Sequence, residues 1–574
     1  MMKVSDYIAR FLYAQGVTHV FEVVGGMITH LVDSMHSQGK IRLISMHHEQ
    51  AAGFAAEAMA RITGVPGVAM ATSGPGATNL LTAICSCYFD SSPAIFITGQ
   101  VNRHEQKGSL PIRQLGFQET DIVSMAAHVT KAAWCVQSPE EIPSLLAKAF
   151  TIALSGRCGP VLIDIPMDVQ RAEISGKDVD FPPFSPERES DHIKIKELLA
   201  ALSVAKRPLI LAGGGISSSR STALFRSFSE KVNVPVVNSL MGVDLLPYQH
   251  PLRVGTIGSY GNRWANIAIG QSDFLLILGS RLDVRQTGSE TEAFKGNRTI
   301  YHVDIEAGEI NNRVQGCTAM VADLPSFFKT IMRLITEATF PGRQEWFAEI
   351  SKLRQSWPDT TELQDISGIN PNLFMHQLSA ASRQASAFLV DVGQHQMWAA
   401  QSLKLDGGQH FLTSGGMGAM GFALPAAVGA AWACPGQPVV MIAGDGGLQM
   451  NIQELQTVIH HQLPVKLVVI NNQCYGMVRQ FQQSYFAERY QSTYWGYSAP
   501  DFAKVAEAYG IATWTVNNHS EVPEALERMW QDTGAPFLLQ VMIDIYTNTY
   551  PKIAFGCPIT EMEPFVKPLD MEGT

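Results

Sequence analysis

The chain has 574 residues, of which 46% are hydrophobic and 16% charged, and its formal net charge is −10. A chain of this length exceeds what a single core fills, so roughly two to four domains are expected. The acidic balance and the lack of a basic run argue against nucleic acid as a partner, because phosphate backbones are bound by clustered lysines and arginines.

The first predicted element is an amphipathic helix. In MMKVSDYIARFLYAQG, Asp6 and Arg10 interrupt the apolar positions, while Phe11 and Leu12 fall on the buried face. These charges argue against a signal peptide. No apolar stretch of the chain reaches the roughly 20 residues that span a bilayer. We therefore expect a cytoplasmic protein.

Three blocks follow, in which apolar runs alternate with helical stretches. In the first block, residues 1–172, the runs GVAMATS and AIFITGQ alternate with helical segments such as HEQAAGFAAEAMARITG. Residues 191–338 and 370–547 show the same alternation. Strand–helix–strand units of this kind predict an α/β fold of three doubly wound domains, each with a parallel sheet.

Two segments interrupt this alternation. GKDVDFPPFSPERESD, after the first block, is charged and rich in proline, so we expect a linker there. The last segment, residues 548–574, carries prolines at 551, 558, 564 and 568. Because proline lacks a backbone donor and fixes φ, we expect an extended arm without packed elements.

The first and third blocks show a weak internal repeat. In the first, the strand VAMATS is followed by Gly74-Pro75-Gly76 and a helix. In the third, the strand VVMIAG is followed by Gly444-Asp445-Gly446 and a helix. The two blocks share a topology in this interpretation, with only the third keeping the acid; the alternative is a chance similarity of α/β units.

Eight cysteines are scattered at 85, 87, 135, 158, 317, 434, 474 and 557. The close pair Cys85 and Cys87 has no second pair to complete a zinc site. We expect ordinary reduced thiols.

The stretch AGDGGLQMNIQELQTVIHHQLPVKLVVINNQ, residues 443–473, carries the strongest chemical signal. Asp445 follows one predicted strand and Asn472 ends the next. The carboxyl ends of parallel strands meet at the edge where α/β sheets bind ligands. The glycines and the following helix suit a phosphate, and a Mg²⁺ ion held by the two side-chain oxygens would remove the charge repulsion. This predicts a Mg²⁺–diphosphate site; the alternative is that Asp445 caps a helix and Asn472 forms a turn.

This stretch resembles the thiamine diphosphate motif, in which GDG is followed roughly two dozen residues later by NN. HHEQAAGFAAEAMARITG, ATSGPGATNLLTAI, GPVLIDIP, DVGQHQMWAAQ and GGMGAMGFALPAAVGA are similar to the acetolactate synthase large-subunit family, in collinear order over nearly the whole chain. The resemblance implies a thiamine-pyrimidine-binding domain, a central FAD-binding-like domain and a diphosphate-binding domain. It also implies a homodimer or homotetramer with active sites between subunits.

The resemblance implies catalytic roles in the first block. Glu49, in MHHEQAA, matches the glutamate that shares a proton with the cofactor's aminopyrimidine, which requires partial desolvation. In the family this residue acts on cofactor held by another subunit. The alternative is a glutamate favoured at a helix start by the dipole. Phe117, Gln118 and Lys131 match the family pattern on the side of the donor, which would be pyruvate.

The resemblance also implies a set of thiamine diphosphate contacts, with Met420 bending the cofactor unless it is an ordinary core methionine. The magnesium ligands would be Asp445, Asn472 and the main-chain carbonyl of Cys474. The cofactor contacts would be Gly25, Gln394, His395, Gly416, Met417, Met420, Gly444, Gly446 and Gly447.

In the middle block, a glycine-rich turn after a strand, AGGGIS, is weak evidence for a dinucleotide. The family resemblance implies FAD without a net redox role; the alternative is an empty or adenosine-type site. The expected FAD contacts are Gly213, Gly214, Gly215, Gly258, Asn262, Gly279, Arg281, Asp304, Ile305 and Asp323.

The second-substrate side departs from the family pattern. Val24, in VVGG, replaces a proline and Met27 replaces a small residue, while MVRQF places Phe481 where synthases carry tryptophan. RLDVR replaces RFDDR but keeps Arg285. We assign Val24, Met27, Arg285, Met477 and Phe481 to the acceptor pocket, in which the smaller Phe481 would leave room for a larger ketone.

The C-terminal arm resembles flavoproteins of surface-polysaccharide pathways, such as that of yersiniose biosynthesis. The resemblance implies transfer of the two-carbon unit of pyruvate to a CDP-4-keto-deoxyhexose. The alternatives are an acetolactate synthase that condenses two pyruvates, a plain decarboxylase or flavin oxidase, and a non-catalytic paralogue that binds cofactor.

Overall fold

A computed structural model describes residues 1–175, 191–335, 340–363 and 366–569. Within these residues, three parallel six-stranded sheets flanked by helices follow one another along the chain. This confirms the predicted α/β fold of three domains. The expected linker at 176–190, the expected end of the second block at 338, and the tail from 570 lie outside the described residues.

The first sheet lies between two layers of helices. In spatial order its strands are Arg42–Ser45, His19–Val23, Gly67–Ala71, Ala94–Gln100, Pro160–Pro166 and Ala132–Cys135. Its helices are Val4–Ala14, Thr29–Gln38, Glu49–Thr63, Pro75–Asn79, Leu81–Phe89, Ile122–Ala126, Ile142–Leu154 and Met167–Arg171. Met2–Lys3 pairs with Glu173–Ile174 in a short antiparallel ladder. Leu12 is buried on the first helix and Phe11 half-buried, as the pattern predicts.

The middle sheet has a different strand order. Its strands are, in spatial order, Arg253–Thr256, Val236–Asn238, Pro208–Ala212, Phe274–Leu278, Thr299–Asp304 and Thr318–Val321. Its helices are His192–Val204, Gly215–Ser218, Thr222–Val232, Arg263–Gln271, Val284–Thr287, Thr291–Lys295 and Leu324–Leu334, and Gln344–Ser356 follows. The next two strands in the chain lie on one side of Pro208–Ala212, and the three after them lie on its other side. Parallel α/β sheets bind ligands at such a switch in strand order.

The third sheet repeats the strand order of the first. Its strands are, in spatial order, His410–Thr413, Ala387–Val390, Val439–Gly444, Val465–Asn471, Phe537–Met542 and Ala512–Val516. Its helices are Pro371–Ala381, Gln394–Ser402, Ala423–Ala433, Asp445–Met450, Leu455–His460, Gly476–Tyr485, Phe502–Ala508 and Val522–Met529. In both domains the second strand in the chain lies at one edge and the fifth at the other. The predicted common topology of the first and third blocks is therefore confirmed.

Small residues join the first and third domains. Helix Glu49–Thr63 packs on helix Ala423–Ala433 so closely that a Cβ on Gly429 would lie 2.0 Å from the carbonyl oxygen of Ala55. Phe54 and Phe422 meet edge to face, with ring centroids 5.4 Å apart. Buried side chains of both domains form one continuous apolar core. This contact fixes the beginning of the Glu49 helix relative to the third domain.

The C-terminal arm is packed, so the expectation of an extended arm is wrong. Lys552–Ile553 pairs with Met562–Glu563 in an antiparallel hairpin. Ile553, Ile559 and Met562 are buried in an apolar core of the middle domain. The apolar positions between the prolines supply enough buried surface to hold the segment in place.

All eight cysteines lie in described residues and are free thiols. No helix in those residues combines the length and apolarity needed to cross a membrane. In the same part of the chain, no three His, Cys, Asp or Glu side chains group as a metal site. The predicted magnesium site has only one such side chain, Asp445, so this absence does not bear on it.

Candidate functional site

Asp445 and Asn472 lie at the same edge of the third sheet. Strands Val439–Gly444 and Val465–Asn471 are parallel neighbours, and the two residues directly follow them. Both are buried, with 2% and 7% of their surface exposed. The main-chain N–H of Cys474 lies 3.4 Å from Asn472 Oδ1 and also faces the Asp445 carboxylate. The structure therefore brings the side chains of Asp445 and Asn472 together with the backbone of Cys474.

The buried carboxylate of Asp445 has an unusual environment. Burial raises its pKa to about 6, although the Tyr497 hydroxyl donates to Oδ2 at 3.0 Å and nearby amides oppose the rise. A cation beside it would favour the ionised form. Carboxylate, carboxamide and carbonyl oxygens are the hard ligands that Mg²⁺ takes. The residues present fit this ion.

Gln394 and His395 occupy the same edge in different ways. Gln394 Oε1 accepts a hydrogen bond from Asn472 Nδ2 at 3.0 Å, and its Nε2 donates to the Thr547 carbonyl at 3.0 Å. Gln394 thus orients the Asn472 amide, with Oδ1 directed away from it. His395 is buried, burial lowers its pKa to about 3, and its Nε2 has no partner among the described residues. A bound polar group would satisfy that nitrogen.

The glycines of this edge are required by close packing. A Cβ on Gly446 would lie 2.4 Å from the Tyr475 ring and 3.2 Å from the Met420 methyl group. A Cβ on Gly447 would lie 2.8 Å from an Asp391 oxygen, and one on Gly444 would lie 3.0 Å from the His395 ring. The predicted residues Gly444, Gly446, Gly447 and Met420 therefore share one site.

The loop that carries Met417 and Met420 is anchored by an aspartate that sequence analysis missed. Asp391 directly follows the strand Ala387–Val390 and accepts hydrogen bonds from the N–H groups of Gly421 and Ala423, both at 3.0 Å. Met417 is 39% exposed. The signal available in the sequence was the acid directly after an apolar run, LVDVG, the pattern also seen at Asp445.

Glu49 lies at the corresponding edge of the first sheet. It begins the helix Glu49–Thr63 and is half-buried, and its Oε2 accepts a hydrogen bond from Asn79 at 2.9 Å. A Cβ on Gly76 would lie 3.2 Å from Oε1. The carboxylate thus faces the glycine turn after Gly67–Ala71. Both the predicted role and the helix-start alternative are compatible with this position.

Gly25 and Gln118 reach the same edge as Glu49. A Cβ on Gly25 would lie 2.5 Å from Thr72, which follows the strand Gly67–Ala71, and one on Gly74 would lie 3.0 Å from Gln118 Cβ. Gln118 has φ +64°, so the loop makes a tight turn there. Phe117, beside it, is 79% exposed. The edge that carries these residues is open in a single copy of the chain.

The prediction for Lys131 is not supported within one copy, because the structure places it at the opposite end of the sheet. Its backbone N–H binds the carbonyl of Pro160, where the strand Pro160–Pro166 begins. Its ammonium group donates to the carbonyls of Ile152 and Ser155, which terminate a helix. The length of that strand separates it by about 20 Å from the Glu49 edge.

The predicted FAD residues lie along the carboxyl edge of the middle sheet, but some are already engaged by the protein. A Cβ on Gly213 would lie 2.2 Å from the Gly279 carbonyl oxygen, so packing alone requires glycine there. Asn262 Oδ1 accepts a hydrogen bond from the Thr256 N–H, and its Nδ2 donates to the Gln401 carbonyl, so both ends of the carboxamide are engaged. Gly214 and Gly215 share the packed turn, and Gly258 follows an edge strand. Asp304 ends the strand Thr299–Asp304, Ile305 follows it, and Asp323 follows the other edge strand, Thr318–Val321.

An open cleft of about 580 Å³ borders this edge. Arg281, Asp283, Glu309 and Arg313 line it, among others. Asp323 caps the helix that follows it by accepting the Ser326 N–H. The cleft has cations that suit a phosphate, and Arg281 is the predicted residue that faces it.

The predicted acceptor residues come from three different domains. Val24, 58% exposed, and Met27 lie on the first-sheet edge, whereas Met477 and Phe481 lie on helix Gly476–Tyr485. Arg285 lies in the middle domain, where its carbonyl accepts the Ser259 N–H at 2.6 Å.

The arm joins two of these elements. The Ile553 N–H donates to the Ser259 carbonyl beside Arg285, and the Phe555 ring meets Tyr485 at a centroid distance of 6.4 Å. The Tyr485 ring in turn meets the Phe481 ring at a tilted angle, with centroids 4.8 Å apart. The arm thus places the Arg285 loop and the Phe481 helix side by side.

The chain is similar to known enzymes along most of its length. Three protein-family models of thiamine pyrophosphate enzymes match this chain in order along the sequence. The N-terminal TPP binding domain matches residues 2–125, the central domain 195–331 and the C-terminal TPP binding domain 391–541. The chain is 38% identical over 570 residues to the acetolactate synthase isozyme 2 large subunit of Escherichia coli, covering 98% of this chain and 99% of that protein. It is 36% identical to the acetolactate synthase large subunit of Lactococcus lactis, with 97% and 95% covered.

Proposed function

Since the chain belongs to the thiamine pyrophosphate enzyme family, and is a C–C bond-forming enzyme with acetolactate synthase large subunits among its relatives, we propose that it transfers a two-carbon unit from pyruvate to a ketone. The observation that carries the proposal is the convergence of Asp445, Asn472 and Cys474 at one buried sheet edge. In this proposal the two side chains and the Cys474 carbonyl hold Mg²⁺. When bound, thiamine diphosphate supplies the carbanion that attacks the donor ketone.

The residues around this edge have separate tasks in the proposal. Gln394 keeps the Asn472 oxygen available to the ion, and the unpartnered His395 Nε2 contacts the diphosphate. Gly446 and Gly447 present their backbone N–H groups to the diphosphate, and Met417 and Met420 support the rings. Glu49 holds a proton at one carboxylate oxygen against the aminopyrimidine, while Asn79 fixes the other oxygen at 2.9 Å.

We propose that the active site is completed by a second copy of the chain. The first-sheet edge is open in one copy, since Phe117 is 79% and Val24 58% exposed. Phe117, Gln118 and Glu49 on this edge would cover the third-domain site of the other copy. Exposed apolar side chains of this kind are typical of an interface. A homodimer, or a homotetramer built from it, supplies the arrangement.

For the acceptor, the similarity to acetolactate synthases favours a second pyruvate, with acetolactate as the product. A CDP-4-keto-deoxyhexose is the second candidate, favoured by the acceptor residues. Phe481 has 37% of its surface exposed and meets the rings of Tyr485 and Phe486 at tilted angles, so the smaller ring would leave space where synthases carry tryptophan. Val24 and Met27 would change the acceptor pocket on the side of the first domain. A larger ketone would use that space.

We also propose FAD, in a non-redox role, for the cleft beside Arg281. The cleft lies beyond the carboxyl ends of the strands Phe274–Leu278 and Thr299–Asp304, and its two arginines suit a diphosphate, with Asp283 and Glu309 also in its lining. The packed glycine turn and the engaged Asn262 contribute less to this proposal than the sequence suggested. Release of flavin from the purified protein on acid treatment is expected; a protein that neither contains flavin nor binds added FAD contradicts it.

Product analysis tests the proposed function. The protein is incubated with thiamine diphosphate, Mg²⁺, FAD, pyruvate and an equal concentration of a CDP-4-keto-deoxyhexose, and products are identified by mass spectrometry. Release of CO₂ with a two-carbon adduct of a ketone is expected. Acetolactate alone assigns pyruvate as acceptor, and a branched sugar nucleotide assigns the second candidate. No CO₂, or acetaldehyde or acetate as the product, contradicts a carboligase.

A further inference from the structure

A carboxylate of the first domain holds the loop that leads to Met417 and Met420. Asp90 follows the helix Leu81–Phe89, and its two oxygens accept hydrogen bonds from the N–H groups of Gly416 at 2.5 Å and Gly415 at 3.1 Å. A Cβ on Gly416 would lie 2.9 Å from Asp90 Oδ1, so glycine is required for this approach. The contact crosses from the first domain to the third within one copy.

Two further side chains of the first domain bind the same segment. Arg61 donates to the Thr413 carbonyl at 2.9 Å, and the hydroxyls of Ser86 and Ser414 lie 3.5 Å apart. The segment 413–416 is therefore held along its length by the first domain. Its far end, at 421 and 423, is held by Asp391 of its own domain. The loop is therefore held at one end by Asp90 and at the other by Asp391, with Met417 and Met420 between these two contacts.

A second acid lies beside Asp90 and differs from it. Glu57 has none of its surface exposed; its Oε1 accepts a hydrogen bond from Ser92 at 3.0 Å, and Oε2 has no partner among the described residues. Burial raises the pKa of Glu57 to about 7, and the neighbouring Asp90 adds to the rise. Arg61 lies 3.7 Å from Oε1.

The hydrogen bonds decide which of the two acids is ionised. Burial raises the pKa of Asp90, but Arg61 and the two glycine amides oppose the rise. An acid that receives two N–H groups is stabilised as the carboxylate, whereas Glu57 receives hydroxyl groups and no backbone N–H. Asp90 is therefore the acid held as the carboxylate, and Glu57 is the one that takes up a proton more readily.

We propose that Asp90 is a positioning residue for the cofactor: its carboxylate fixes the backbone of Gly415 and Gly416 and so sets Met417 and Met420 against thiamine diphosphate bound in the same copy. This inference rests on the proposed function. It differs from the role proposed for Glu49, which acts on the cofactor of another copy. The first domain then serves two sites, touching the cofactor of one and shaping the loop of the other.

The Asp90→Asn variant tests the proposal, since it keeps the size of the side chain but replaces one accepting oxygen with an NH₂ group. One glycine N–H then faces a donor. We expect the affinity for thiamine diphosphate, measured by calorimetry with Mg²⁺, to fall about tenfold or more. Glu57→Gln mimics the protonated acid and is the matched control, with an affinity expected within about twofold of wild type.

Hydrogen exchange separates positioning from a general loss of structure. Backbone amides of the 413–421 peptide are expected to exchange faster in Asp90→Asn, with the melting temperature of the cofactor-free protein unchanged. If this variant does not fold, Asp90→Glu, which keeps the charge and displaces it by one methylene, is expected to show a smaller loss of cofactor affinity. The same two readouts apply to it.

The outcomes distinguish the two proposals. Unchanged cofactor affinity and unchanged exchange in Asp90→Asn, or in Asp90→Glu if only that variant folds, overturn the role of Asp90. Equal losses in Asp90→Asn and Glu57→Gln overturn it as well, since the cluster would then act as a whole. A wild-type protein that does not bind thiamine diphosphate overturns the proposed function instead.

Discussion

The first and third domains have the same strand order, yet their ligand edges are built differently. In each, a glycine turn follows the third strand of the domain, Gly74-Pro75-Gly76 in one and Gly444-Asp445-Gly446 in the other. The third-domain edge is closed and polar: Asp445 and Asn472 are buried and the glycines pack against side chains. The first-domain edge is open, with Phe117 and Val24 exposed and Glu49 half-buried.

The difference shows how one topology serves two purposes. A closed edge with converging oxygens can hold an ion and a diphosphate by itself. An open edge with one oriented carboxylate and exposed apolar groups requires a partner surface to exclude water. A symmetric pair of copies would place each open edge against a closed one. The predictions below change one edge at a time.

The largest effect is expected on the closed edge. Asp445→Ala removes the proposed cation ligand, and retention of thiamine diphosphate with Mg²⁺ should fall by about a hundredfold or more, because the diphosphate charge is then uncompensated. Calorimetric titration measures it. Glu524→Ala, an exposed acid on a helix of the same domain, is the control. Equal affinities for the two variants would refute the magnesium site.

On the open edge, Glu49→Gln should separate binding from chemistry. The carboxamide keeps the size of the side chain but cannot share the proton, so two-carbon transfer should fall by about two orders of magnitude or more. Cofactor affinity should change only severalfold, by the same calorimetric measurement. A variant with wild-type turnover would remove Glu49 from catalysis.

The acceptor wall should show a moderate effect. Phe481→Trp restores the larger ring and should shift the product ratio toward 2-ketoacid acceptors by about threefold to tenfold. Competition between pyruvate and a larger ketone in one vessel, read by mass spectrometry, gives the ratio. Phe486→Trp, on the neighbouring ring, is the control and should leave the ratio unaltered. The same product ratio in both variants would show that Phe481 does not determine acceptor specificity.

The smallest effect is expected from Tyr497→Phe. It removes the hydroxyl that donates to Asp445 Oδ2 at 3.0 Å and leaves the ring in place. The loss of one orienting hydrogen bond should weaken Mg²⁺-dependent cofactor binding about threefold. Calorimetry at fixed pH measures it. A loss as large as that of Asp445→Ala would mean that Tyr497 itself forms part of the site.

Residues that directly follow strands could be placed from the sequence. Asp445 and Asn472 directly follow successive strands, and successive strands are often neighbours, so their convergence was predictable. Glu49 and Met420 were found by resemblance. Gln394 was assigned to the right edge with a different partner, because the Asn472 amide that it binds lies 78 residues away.

Features that depend on contacts between domains could not be placed. Lys131 precedes the edge strand Ala132–Cys135 and therefore lies at the end of the sheet opposite Glu49. No pattern in the sequence indicates this position. Prolines suggested an extended arm, whereas Ile553 and Met562 find an apolar surface on the middle domain. The bonds from Asp90 to Gly415 and Gly416 span more than three hundred residues. Tertiary partners at such separations leave no local pattern.

The central claim is that each active site combines the closed edge of one copy with the open edge of another, and a mixing experiment tests it. Glu49→Gln and Asp445→Ala chains, each nearly inactive alone, are co-expressed with different tags and purified as the mixed assembly. A shared site leaves one intact pair of edges per mixed dimer, so about half of the wild-type two-carbon transfer should return. Activity no higher than that of the separate variants would contradict the claim.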